Sequence, residues 1–462
     1  MNVNAQRLSL EDSLVIWLIF FHYLIYEVVF FFWYDFAGGI VAPFVTAWKL
    51  IFPVALLVYS GAPDPRVLAR SGPLRLYLLL FGAFLAWSIV PSLLSASGRT
   101  SLVEWLKLVP RLFFFVGLLA FVLKRPGAFI SLLRLFVGWC VLMVAQYVVL
   151  VVSGAYANTI TIPGVPGSFA GPFGLLGNIT SLMALPGLPL PIVRLCGFWN
   201  EPSNASGSMF AAYFAANALH ELQPERRWKN VSYVLFAGGL LCLSNAGYLA
   251  ISIALLFGSF FQRSHNVWSK IRRGALFLVG VCFVLIGVFG RTYISTYMPD
   301  NDIARALVGV RGDLDEIKSG DFDASGGRIL LLSQAVETIA KSPQGIGIVV
   351  GGDSGMDTLS ASAPVMWLTT TGLLGLMLLL GREAAVFVAV VNAARRSPLS
   401  VLAAQAWIVV SVQHTSYGSW MNPIYFMMVT FVFLTTVYFH PVRQSVVPYQ
   451  GSREVRRTPI RP

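Results

Sequence analysis

Apolar runs of roughly 20 residues recur along this chain, and each is long enough to cross ~30 Å of hydrocarbon as an α-helix. That constrains the fold before any motif is considered. Inside a bilayer every backbone N–H and C=O must find a partner within the protein, so only helices and closed barrels can span. Strand alternation and barrel signals are absent, which leaves a helical bundle. Composition agrees: of 462 residues, 56% are hydrophobic and only 12% charged, with a mean hydropathy of +0.71. Spans are expected near 13–34, 40–60, 73–94, 108–123, 128–153, 204–221, 231–243, 245–261, 274–290, 361–390, 398–414 and 422–440. The fold class is therefore all-α, a polytopic integral membrane bundle of about 12 transmembrane helices. The 231–261 region reads either as two short helices meeting at LSNAGY or as one broken hairpin. The 361–390 run exceeds what a bilayer needs and is expected to tilt or to extend beyond it.

Lys and Arg in the short loops set the orientation. One set of alternate loops carries Arg66, Arg70 and Arg75; Lys124, Arg125 and Arg134; Arg226, Arg227 and Lys229; Arg263, Lys270, Arg272 and Arg273; Arg395 and Arg396; and Arg443, Arg453, Arg456 and Arg457 of the tail. These loops and both termini are expected in the cytoplasm. The other set faces outward: 35–39, the loop 154–203, the polar stretch 291–362 and the turn near 415–421. The chain then divides into N-terminal spans (1–153), a middle group with its outer loop (154–290), the large outer loop (291–362), C-terminal spans (363–440) and a basic tail (441–462).

The net charge of +12 is scattered over short loops, which suits anchoring against anionic lipid and excludes a nucleic-acid partner. No cleavable signal peptide is visible, so the first span is expected to act as an uncleaved anchor. Cys140, Cys196, Cys242 and Cys282 show neither metal spacing nor a disulfide framework. Nucleotide-binding and zinc-protease motifs are missing.

Three stretches can carry chemistry. The first, RLCGFWNEPSNASGSMFAAYF, puts Arg194 and Glu201 just ahead of a span that Pro202 and Ser203 suit as a helix start. An interfacial pair anchoring that helix is the plain alternative to an active role. The second lies in the large loop, which holds Arg291, Arg305, Arg311 and Arg328 on the side poorer in basic residues. Gly326, Gly327 and Arg328 open a helix whose stripe is Ile329, Leu332, Val336 and Ile339; Ser342 and Pro343 stop it, and Gly345 and Gly347 make a turn. A guanidinium at a helix N-terminus suits a diphosphate, and a solvated arginine on a surface helix is the bland reading. The third stretch, SASAPVMWLTTTGLLGLM, enters the next span with a Thr run and small residues suited to helix packing. His414 and Tyr417, at the outer end of a span, are candidates to contact substrate. Glu27 and Lys49 are expected to form a buried ion pair. Asp300/Asp302, Asp313/Asp315 and Asp321/Asp323 have metal-binding spacing, but in so acidic and polar a loop they read as solvated charge.

R-x-x-G-x-x-x-E-P ahead of a helix, L-S-N-A-G-Y, a large outer loop ending in G-G-R and S-P-Q-G-I-G, and a span with G-L-L-G-L occur in that order. In this order they resemble the O-antigen polymerase and ligase superfamily over roughly 190–380. The ligase branch carries a His–Asn pair where the large loop enters its following helix; here that segment reads SASAP, so the polymerase branch is the better match. The resemblance implies a GT-C-like membrane glycosyltransferase of a bacterial inner membrane. It would transfer a growing glycan from undecaprenyl diphosphate to a lipid-linked repeat unit at the periplasmic face. The transfer would be inverting, metal-independent and without a cofactor. Arg194 and Arg328 would hold the diphosphate, Arg291 and Arg311 would assist, and Glu201 would contact or deprotonate the acceptor hydroxyl. Partners would be the lipid-linked oligosaccharide, the bilayer, a chain-length-regulating co-polymerase and a flippase. A ligase capping lipid A core and a transporter of lipid-linked glycans are the competing functions.

Overall fold

The computed structural model describes residues 8–26, 41–95, 98–152, 202–242, 244–261, 336–348, 363–395, 397–417 and 420–438. It also describes Leu195, Leu278 and short strands between 160 and 193. The architecture is helical. In chain order the helices are α1 (Leu10–Leu24), α2 (Val41–Ser60), α3 (Pro65–Arg70), α4 (Gly72–Leu94), α5 (Gly98–Leu106), α6 (Val109–Lys124) and α7 (Pro126–Val152). They continue with α8 (Pro202–Leu222), α9 (Arg226–Leu241), α10 (Asn245–Phe261), α11 (Ala363–Ala394), α12 (Pro398–Tyr417) and α13 (Pro423–Tyr438). Between α7 and α8, β1 (Ile160–Thr161), β2 (Ser168–Ala170) and β3 (Leu176–Asn178) pair antiparallel, as do β4 (Leu182–Met183) and β5 (Ile192–Val193). These pieces of two or three residues leave the fold helical.

Five stretches are long and apolar enough to cross a membrane: Pro43–Ser60, Gly72–Leu94, Gly98–Lys124, Pro126–Val149 and Ala363–Ala394. The chain is thus a helical membrane protein by length and composition. The span expected at 274–290 lies outside the described residues apart from Leu278. The ambiguous 231–261 region forms two helices, α9 and α10, meeting at LSNAGY.

Local chemistry sets several boundaries. Ser9 and Asp12 form a reciprocal capping box, so α1 starts at Leu10. Prolines open α7, α8, α12 and α13, where a missing N–H costs nothing. The helix ends then sort spatially. Lys124 reaches Ser60 O, Arg125 pairs with Asp12 at 2.5 Å, Arg134 Nη2 donates to Gln223 at 2.5 Å, and Tyr438 OH donates to Leu123 O. The ends of α2, α6, α8 and α13 and the starts of α1 and α7 therefore share one end of the bundle, the basic end. At the opposite end α4 finishes and α8 and α11 begin. This is the loop end, because the chain preceding α8 and α11 joins them there.

Aromatic rings fill the centre. Tyr77 packs on Phe115 and Phe433, with centroids 4.9 and 5.7 Å apart. Phe426 meets Phe81 at 5.8 Å and Phe115 at 5.4 Å. Lipid tails are as apolar as Phe, so ring geometry rather than water exclusion gives the advantage, about 0.5–1.5 kcal/mol per pair. Elsewhere glycines admit close neighbours: a Cβ on Gly117 would lie 2.9 Å from Leu57 N, where α6 meets α2.

Candidate functional site

The turn that joins α12 to α13 lies below the end of α4. The aromatic layer gives the depth. Where Phe81 of α4 meets Phe426 of α13, α4 still has roughly 20 Å to run to Leu94, while α13 has about 5 Å left to Pro423. The α12–α13 turn thus sits about 15 Å short of the end of α4.

Polar side chains collect at this depth. Gln413 Nε2 donates to Asn204 Oδ1 at 2.7 Å, tying the last turn of α12 to the first turn of α8. Its side chain occupies the space a Cβ at Gly207 would need, and Ser206 does the same at Gly247 of α10. Leu195 N donates to Leu241 O at 3.0 Å, so the residue after Arg194 is held by the last residue of α9. His414 is buried. The amide nitrogen of Asn422 lies 2.9 Å from its Nε2 and 3.5 Å from its Nδ1. Asn422 Oδ1 accepts from Tyr425 N at 2.9 Å, which fixes which way the amide faces. Trp420 Nε1 donates to Ser411 O and to Thr415 Oγ1, closing the turn.

Below the turn lies a charged pair. Arg382, fully buried, donates through Nη2 to Glu383 Oε1 at 2.7 Å and to Trp420 O at 2.8 Å. Tyr425 OH lies 2.6 Å from both Glu383 oxygens. The guanidinium also stacks over Phe81, Tyr425 and Tyr77 at 5.0, 5.2 and 5.4 Å.

The wall beside this floor contains a break. The hydroxyls of Thr369, Thr370 and Thr371 each bond back to the carbonyl four residues earlier, an arrangement that loosens a helix. Gly372 follows at φ +69°, ψ −176°, and α11 is interrupted there. Three carbonyls are freed and all are used. Ile346 N donates to Thr369 O at 2.9 Å, Gly347 N to Thr370 O at 3.0 Å, and Trp87 Nε1 to Thr371 O at 2.8 Å. The SPQGIG turn therefore plugs the gap in α11. Gly345, at φ +91°, has no room for a Cβ, which would lie 2.5 Å from Thr370 O. The Thr run makes a discontinuity in addition to the helix packing expected of this segment, in which a Cβ on Gly375 would lie 3.3 Å from Trp87 of α4.

Of the residues chosen from sequence, Arg194, Glu201, Arg291, Arg311 and Arg328 lie outside the described residues, as do Glu27 and the paired aspartates. Tyr417 ends α12, but its side chain is likewise outside. Lys49 lies over the Tyr26 ring at 4.4 Å. The helix ahead of SPQGIG is present over 336–341 and stops at Ser342 as expected. Val336 of its proposed apolar stripe, however, is 59% exposed. His414 is where its position at a helix end implied. Asn204, Arg382, Glu383, Gln413, Asn422 and Tyr425 were missed. Arg382–Glu383 carried a usable signal, two charges inside a long apolar run. No group of three or more metal-ligating side chains occurs among the described residues, and Cys140 and Cys242 are buried free thiols. No family model, curated protein or solved structure matches the chain.

Proposed function

We propose that this chain is a polysaccharide polymerase, a GT-C-like membrane glycosyltransferase of about twelve spans in a bacterial inner membrane. Both termini are cytoplasmic, and the reaction takes place at the periplasmic face. The observation that carries the reading is the docking of the motif segments at one end of the bundle. RLCGFWNEPSNAS meets the α9–α10 junction at LSNAGY, where Leu195 bonds Leu241 two residues ahead of the motif and Ser206 enters Gly247. SPQGIG meets TTTG through Ile346 and Gly347. His414 lies on the sunken floor beside the first turn of α8.

In this scheme the acceptor hydroxyl attacks C1 of the sugar bound to undecaprenyl diphosphate. The C1–O bond to the diphosphate breaks, and the diphosphate leaves with the electron pair. Arg194 and Arg328 stabilise the growing negative charge, with Arg291 and Arg311 assisting, most effectively where water is scarce. Glu201 takes the acceptor proton. His414 and Tyr417 contact the sugars. No cofactor or metal is assigned a role, and a co-polymerase and flippase are the expected partners.

Deleting the gene and resolving surface glycans on a gel tests the reading. Loss of long chains with single units retained supports a polymerase. Long chains stranded on undecaprenyl diphosphate point instead to a ligase for lipid A core or another acceptor. The break in α11 favours a second reading, a transporter of lipid-linked glycans, since interrupted helices at membrane depth mark transport sites. Flipping of a fluorescent lipid-linked glycan by the purified protein in vesicles, without chain growth, would establish it.

A further inference from the structure

Arg382 and Glu383 have no part in that scheme, yet the bilayer makes them expensive. A buried ion pair adds little net stability, and apolar residues of similar size often serve as well. Ionisable groups at this depth are functional by default. The pair is adjacent in α11, so its mutual contact is local. What it reaches for belongs to another hairpin. Arg382 Nη2 takes Trp420 O, a carbonyl in the sunken turn, at 2.8 Å. Glu383 takes Tyr425 OH at 2.6 Å. Tyr425 is thereby tied at both ends, its hydroxyl to Glu383 and its backbone N–H to Asn422 Oδ1 at 2.9 Å. With its oxygen so engaged, Asn422 turns its nitrogen to the His414 imidazole, 2.9 Å from Nε2. An unbroken series of contacts therefore runs from Glu383 through Tyr425 and Asn422 to His414.

We propose that Arg382, Glu383 and Tyr425 are positioning residues that hold the α12–α13 turn so that Asn422 fixes the His414 imidazole; this rests on the reading of His414 as a substrate-contacting residue in glycan transfer. The stack of the guanidinium over Phe81, Tyr77 and Tyr425 stiffens the lower side of the clamp. Arg382 gives the carbonyl of buried Trp420 a partner in the turn, and an unpaired buried carbonyl would be costly.

The test uses the full chain in nanodiscs, with ¹⁵N-labelled histidine and a lipid-linked repeat unit as substrate. Tyr425→Phe removes one hydroxyl and keeps the ring. It is expected to lower kcat about tenfold with KM within about twofold, and to move the imidazole ¹⁵N signals that His414→Gln abolishes. Placed in the His414→Gln background it should change kcat by less than about twofold, because both changes act through one group. Glu383→Gln serves in the same way if the Phe variant does not fold. The proposal is overturned if folded variants leave the His414 signals and kcat at their wild-type values, or if their effects multiply with that of His414→Gln. A wild-type preparation without turnover would sink the transferase reading, and the His414 signals would still decide the positioning.

Discussion

Gly207 has no side chain, and Gln413 fills the space; a Cβ there would overlap the amide that reaches Asn204. The same fit recurs where Ser206 enters Gly247 and Gln405 enters Gly258. Small residues thus let polar side chains cross between helices at close range. Gly207→Ala is expected to break the Gln413–Asn204 bond and to cost about 1–3 kcal/mol through overpacking, read as a lower melting temperature in nanodiscs. Arg328 makes a different demand. If it grips a diphosphate through its forked donor pair, Arg328→Lys should fail almost as badly as Arg328→Ala, because an ammonium keeps the charge and loses the geometry. Polymerisation on gels at normal expression is the measurement, and full activity of the Ala variant would remove Arg328 from the site.

Among the elements, the helices were legible because an apolar run of sufficient length has one way to satisfy its backbone in lipid. The span edges expected from that alone at 60, 94, 123 and 153 stand beside helix ends at 60, 94, 124 and 152. The break in α11 was not legible. TTTGLLGL sits within an apolar run, and a glycine there reads equally as a packing notch or as a hinge. Only the partners of the freed carbonyls decide, and they come from Trp87 and from residues 346–347. The polar floor was hidden for the same reason, since Asn204, Glu383, Asn422 and Tyr425 converge from helices distant in sequence. Gly372→Ala is expected to be costly. An L-residue at φ +69° is strained, and its Cβ would strike Pro343 O. About 2–4 kcal/mol of lost stability, with new protease sensitivity around 342–348, is the expected result. Wild-type behaviour in both assays would show that the plug has no structural role.

At the scale of the whole molecule, the loop-by-loop asymmetry of Lys and Arg predicts that 154–203 and 291–362 face the periplasm. Cysteines placed at Ser168 and Ser319 should label from outside in intact spheroplasts. Protection at either position would overturn the orientation and the diphosphate scheme with it. The sunken α12–α13 turn has an electrical consequence as well. Where the polar floor dips about 15 Å, the insulating layer beneath it is thin. The membrane potential, worth about 2.3 kcal/mol per elementary charge per 100 mV, is then expected to fall mainly across the layer that holds Tyr77, Phe81, Phe115 and Phe426. On that expectation the rings act as a gasket. Phe426→Ala should let proteoliposomes lose a proton gradient faster than wild type, followed with a pH-sensitive dye; equal decay would mean the seal lies elsewhere. If the proposed transfer takes place on this floor, the remaining thickness has to stay tight against protons, and the aromatic rings stand where that seal is needed.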